Sequence, residues 1–156
     1  MVKRWVGIVA SGDKVTMVDV EVPTSGPLIL QMDQTLKLQD GDRPKAYDTL
    51  YHQLVNYFSE KKIGAVVVKA SAASKGSLSL AHLTSAEVRG VALAAAASTC
   101  EVRAIAKATI SKGFGKRKVD EYLSDNQFWD DNISGHELRI GSREAAMLLI
   151  AAREKQ

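Results

Sequence analysis

The sequence predicts an α/β protein: a mixed sheet of about five strands, the first three antiparallel and the rest parallel, with helices on both faces. Three observations lead there. The first forty residues hold three strand-like runs separated by turn chemistry. Helix-period and strand-like segments alternate from there on. Ala65-Val66-Val67-Val68 is a continuous apolar run, which suits a strand covered on both faces.

Trp5-Val6-Gly7-Ile8-Val9-Ala10 reads as a buried strand ended by the hairpin-turn composition Ser11-Gly12-Asp13-Lys14. Residues 15–22 then alternate, with Met17, Asp19 and Glu21 on one side and Val18, Val20 and Val22 on the other, the two-residue period of a half-exposed strand. After Pro23-Thr24-Ser25-Gly26-Pro27, a third strand spans 28–38, with Leu28, Leu30, Met32, Leu36 and Leu38 in one alternation. Pro44 stands where a first helical turn tolerates it, and Ala46, Leu50, Leu54 and Phe58 recur every four residues, so 43–62 form an amphipathic helix. The apolar strand 65–68 follows, then a small-residue loop over 71–79 containing Lys75. Thr84-Ser85-Ala86-Glu87 matches a capping box that opens a helix running to Ala97. A short strand covers 102–106, a basic glycine loop 112–118, and a short helix holds Val119, Tyr122 and Leu123. Residues 127–141 read as irregular with one small strand at 138–140, and a last helix spans 142–154.

At 156 residues, 46% hydrophobic and 25% charged, the chain is the size of one domain, 1–156, and buries roughly 68–70% of its unfolded surface. The formal net charge of +3, with Lys+Arg at 21 against Asp+Glu at 18, excludes a disordered polyelectrolyte and is small for a dedicated nucleic-acid binder. No apolar run reaches membrane-span length, and Met1-Val2-Lys3-Arg4-Trp5 does not open a signal peptide, which points to a cytoplasmic protein with no membrane partner. The single cysteine, Cys100, excludes an internal disulfide and reads as a small buried hydrophobe.

Several stretches resemble the RuvC-type Holliday-junction resolvases. Ala86-Glu87-Val88-Arg89-Gly90-Val91-Ala92-Leu93 is similar to that family's alanine-rich central helix. Lys107 through Val119 is similar to its basic Gly-x-Gly loop, here about two residues shorter. Arg143-Glu144-Ala145-Ala146 falls where the family has an acidic helix start. The resemblance covers nearly the whole chain and implies a ribonuclease H-like fold, with chemistry that places about four carboxylates around two divalent ions. Carried over one at a time, those positions fall on Val9 in the first strand, Lys69 at the end of the central strand, and Arg143 and Ala146 at the last helix. None is acidic. At ~4 Å and an effective dielectric of ~20, one fixed cation repels a divalent ion by roughly 8 kcal/mol, so no metal and no cofactor is expected there. Lys69 and Arg143 are free to pair with acids such as Asp13 or Glu144. A one-residue shift at the last helix would instead put Glu144 in an acidic position.

Lys112, Lys116, Arg117 and Lys118 lie among two glycines with no acid, a composition that cradles phosphate or simply forms a solvated turn. Lys75 and Lys107 extend that patch if the loops converge. His52, His82 and His136 have no metal-ligand spacing, and Asp120, Glu121, Asp130 and Asp131 read as a solvated acidic surface. Phe128, Trp129, Tyr47, Tyr51 and Tyr57 suit the core or, less commonly, a protein-binding anchor. These residues imply a RuvC-like domain without its metal site, binding DNA or RNA through the basic loop, or binding a protein partner as an adaptor or regulatory module, with a homodimer as its expected assembly. The alternatives are a divergent magnesium- or manganese-dependent nuclease using Asp13, Asp19 and Glu144, and a small inhibitor or immunity-type protein acting through the region of Trp129.

Overall fold

A computed structural model describes residues 2–72, 78–110, 112 and 115–155. Among the described residues six strands form one sheet: β1 (Lys3–Ser11), β2 (Lys14–Val22), β3 (Leu28–Lys37), β4 (Ala65–Lys69), β5 (Glu101–Ile105) and β6 (Ile133–Ser134), in the spatial order β5-β4-β1-β2-β3-β6. The opening meander is antiparallel, while β4 pairs with β1, β5 with β4, and β6 with β3 in parallel. Helices α1 (Arg43–Glu60) and α2 (Leu80–Ala97) cover one face. The other is covered by α6 (Arg143–Glu154), with the short α3 (Lys107–Ile110), α4 (Val119–Leu123) and α5 (Asn126–Asn132) around it. None of the described helices is long and apolar enough to cross a membrane.

The stripe Ala46, Leu50, Leu54 and Phe58 is buried under α1, as its four-residue period requires, and meets Val6, Ile8, Val66 and Val68 of the central strands. On the opposite face Leu148 and Leu149 of α6 are fully buried with Trp5, Val18, Val20 and Val67, each leucine contributing on the order of 1.5–3 kcal/mol of burial.

Four local expectations are corrected. β2 is not half-exposed: Met17 and Asp19 are as buried as Val18 and Val20, because α1 and α2 cover the side the pattern leaves polar. β3 does not keep one alternation. Asp19 pairs with Met32 but Val20 with Leu30, so Gln31 is an extra residue, a bulge that turns Leu28 and Leu30 toward α6 and Met32 and Leu36 toward α1. The helix start lies one turn earlier than Thr84. Ser79 Oγ accepts from His82 N while His82 Nδ1 accepts from Ser79 N, and the Thr84 and Ser85 hydroxyls donate back to the Leu80 and Ala81 carbonyls, as such side chains do inside a helix. Residues 138–140 form no strand. The sixth strand is Ile133–Ser134, reached through α5, whose Trp129 is buried and donates its indole N–H to the Tyr122 carbonyl at 2.9 Å.

Candidate functional site

The candidate site lies where β1 and β4 end, under the first turn of α6. Alternation places Gly7 and Val9 of β1 and Val67 and Lys69 of β4 on the α6 face, and Ile8 pairs with Val68, so Val9 and Lys69 are the next residues along neighbouring strands. Gly7 is what lets the helix in: a Cβ there would meet the Ala145 carbonyl and the Leu149 side chain. With α6 this close, Lys69 Nζ donates to Glu144 Oε1 at 2.9 Å, both side chains about three-quarters or more buried. Arg89 of α2 secures the end of β4, its Nε donating to the Lys69 carbonyl at 3.1 Å, and burial lowers the pKa of this guanidinium.

The other two carried-over positions do not face this pair. Arg143 is buried and turns away, donating to the Leu123 carbonyl and Asn126 Oδ1, both at 2.8 Å, and lying 5.9 Å from the centre of the Trp129 ring. Among the described residues it makes no ion pair with an acid, although the sequence left it free to do so. Ala146 is fully buried. Glu144 is therefore the residue of α6 that reaches the sheet end, as the one-residue shift anticipates.

The acids named as relocated catalytic groups are not brought together. Asp13 sits in the β1–β2 turn, and Asp19 lies on the α1 face, across the sheet from Glu144. Fully buried, Asp19 accepts from Arg4 Nε at 2.8 Å, Arg4 Nη2 at 2.7 Å and the Tyr57 hydroxyl at 2.5 Å. Burial and the Asp19 carboxylate push the Tyr57 phenol far above its ordinary pKa, so it stays a donor. Among the described residues no three His, Cys, Asp or Glu side chains cluster as metal ligands.

The basic loop is only partly free. Lys107 Nζ is 2.9 Å from Asp120 Oδ1, and Arg117 is 2.9 Å from Asp125 Oδ2, with its guanidinium carbon 4.2 Å from the centre of the Tyr122 ring. These two predicted contacts are engaged by acids of α4 and its C-terminal flank, 13 and 8 residues downstream of them. Lys112, Lys116 and Lys118 are exposed, while Lys75 lies outside the described residues. Gly115 packs so tightly against Tyr122 that a Cβ would collide with its hydroxyl. His52, His82 and His136 are exposed, as are Asp120, Glu121, Asp130 and Asp131. Trp129 is core rather than an exposed anchor, Tyr57 serves Asp19, and Cys100 is half-buried, its thiol pKa raised by burial.

Sequence reasoning missed Asp33. The β3 bulge carries it to the α6 face, where its carboxylate accepts from Arg139 N at 2.9 Å, Arg139 Nη2 at 2.8 Å and the Ser142 hydroxyl, anchoring the entry to α6. Burial alone would raise its pKa, but these hydrogen bonds outweigh it and hold the carboxyl below the ordinary value. Only a bulge signal in β3 could have revealed this, and Gln31 carries none.

No family model matches the chain, and no curated protein matches its sequence. Among solved structures, RuvC of Thermus thermophilus superposes with a TM-score of 0.74 at 13% identity, over 97% of this chain and 93% of that one. The T. thermophilus RuvC in complex with a Holliday junction substrate gives 0.72 at 12%, over 97% and 93%. The yeast mitochondrial Holliday junction resolvase gives 0.65 at 12%, over 97% and 78%. The chain thus has the ribonuclease H-like fold in the form these resolvases share.

Proposed function

We propose that this chain is a single RuvC-fold domain, residues 1–156, that binds nucleic acid without cutting it by metal-dependent hydrolysis. The observation that carries this reading is the Lys69–Glu144 ion pair beside Val9. Paired-metal chemistry needs several carboxylates converging on two dications. At this sheet end the one acid of α6 that faces inward is already neutralised by an ammonium, and a dication would have to displace it. Degeneracy of the site at Val9 and Lys69, with Glu144 facing it in place of Arg143 and Ala146, is part of this proposal.

Nucleic acid is the favoured partner because a structural neighbour is described with a Holliday junction and because Lys112, Lys116 and Lys118 remain exposed on one loop. Such contacts bind phosphates irrespective of sequence and weaken with salt. The test incubates the protein with branched DNA, single-stranded DNA and RNA in magnesium or manganese. Salt-sensitive retention without cleavage is expected, with Lys116→Ala/Lys118→Ala lowering the salt slope by about two. Manganese-dependent cleavage that Glu144→Ala abolishes would overturn the reading in favour of a divergent nuclease.

A second reading, self-association or an adaptor contact through the start of α2, has its own observation: Leu78, Leu80 and Leu83 are 73%, 79% and 50% exposed. A concentration-dependent dimer in light scattering, converted to monomer by Leu80→Asp/Leu83→Asp, supports a homodimer; a monomer at every concentration excludes it.

A further inference from the structure

Among the described residues, Lys62 is the one non-glycine residue at positive φ, +55°. It follows the last turn of α1, where Lys61 N and Ile63 N donate back to the Tyr57 and Phe58 carbonyls, both at 2.9 Å. A helix end of this kind favours glycine or asparagine in the left-handed residue, so a lysine here is strained by its own Cβ. Strain at one outlying backbone position calls for something its side chain does.

That side chain lines a cleft of about 400 Å³ at the start of β1, β4 and β5, the end of the sheet opposite Val9 and Lys69. Lys3, Arg4, Trp5, Glu101 and Arg103 line it too, so four cations face one exposed acid. Arg4 is engaged by Asp19, while Arg103 is held by Glu101 at 2.9 Å, its guanidinium carbon 5.5 Å from the centre of the Trp5 ring. Among the described residues no carboxylate stands within ion-pair distance of Lys62. Arg103 is pre-oriented on an aromatic face, and Lys62 supplies an uncompensated charge across the same cleft.

We propose that this cleft binds a phosphate group, carried by a nucleotide or by a nucleic-acid strand, with Lys62 and Arg103 as its ligands. The arginine offers a planar fork to two phosphate oxygens and the lysine a point charge to a third. Lys112, Lys116 and Lys118 do not line this cleft, so either can fail without the other.

The test follows the two tryptophan indole N–H signals by NMR while inorganic pyrophosphate, or a short thymidine oligonucleotide, is titrated in. Saturable movement of the Trp5 signal by pyrophosphate identifies a small phosphate ligand, and movement by the oligonucleotide alone identifies a strand; either supports the site. Lys62→Gly is the decisive variant because glycine suits the backbone. It is expected to raise the melting temperature while weakening binding about tenfold, the loss of one charge-assisted contact. Arg103→Gln should weaken it similarly. A Trp5 signal unmoved by both probes, or Lys62→Gly binding as tightly as the unaltered protein, would overturn the proposal.

Discussion

A Cβ placed on Gly7 would stand 2.2 Å from the carbonyl oxygen of Ala145, so the first turn of α6 rests directly on the backbone of β1. This contact sets how near Glu144 comes to Lys69. Because the obstructing atom is backbone, Gly7→Ala must displace the helix. It is expected to cost about 1–3 kcal/mol, the usual range for overpacking, seen as a lower urea midpoint at unchanged slope. An unchanged midpoint would mean that the helix is not seated by this glycine.

Asp19 and its donors predict an ordering. Asp19→Ala leaves the Arg4 guanidinium without its bidentate partner and should cost about 3–5 kcal/mol. Tyr57→Phe removes one of three donors and should cost less, about 1–2 kcal/mol. Chemical denaturation of both variants checks this, and a larger loss for Tyr57→Phe would contradict the assignment of Asp19 as the hub.

Asp33 gives acid sensitivity with a definite sign. Its folded pKa is below its unfolded value near 3.8, so its contribution to stability is fully present above that value and is lost as pH falls toward and through the lowered folded one. The stability gap between the unaltered protein and Asp33→Asn should therefore be constant near neutrality and shrink below about pH 5. A gap that widens on acidification would invert the assignment.

Manganese offers a gain-of-binding check on the proposed function. Lys69→Glu combined with Val9→Asp would add two carboxylates beside Glu144. Manganese is then expected to raise the melting temperature of that variant by mass action and to leave the unaltered protein unmoved. A manganese-dependent rise in the unaltered protein would count against a site closed by the Lys69–Glu144 pair.

Much of the fold was readable because its cues are local. The α1 stripe, the apolar β4 run and the alternation of β2 each follow from side-chain period within one segment. Thr84-Ser85-Ala86-Glu87 misled because its hydroxyls satisfy helix carbonyls as readily as helix-start amides, and the true cap uses a histidine at Ser79-x-x-His82. The candidate site was half readable. Val9 and Lys69 stand where the strands bring them, but whether Arg143 or Glu144 faces inward depends on the rotation of α6, which Gly7 and Asp33 set from strands more than a hundred residues upstream. The ties of Lys107 to Asp120 and of Arg117 to Asp125 likewise need the angle between the loop and α4.

The additional residue at Gln31 has a consequence for how the molecule comes apart. The apolar side chains of β3 change sides across it, Leu28 and Leu30 packing under α6 and Met32 and Leu36 under α1, so this strand, like β1 and β2, is shared by both layers. Neither layer can peel away while that seam holds, and the two should melt as one cooperative unit.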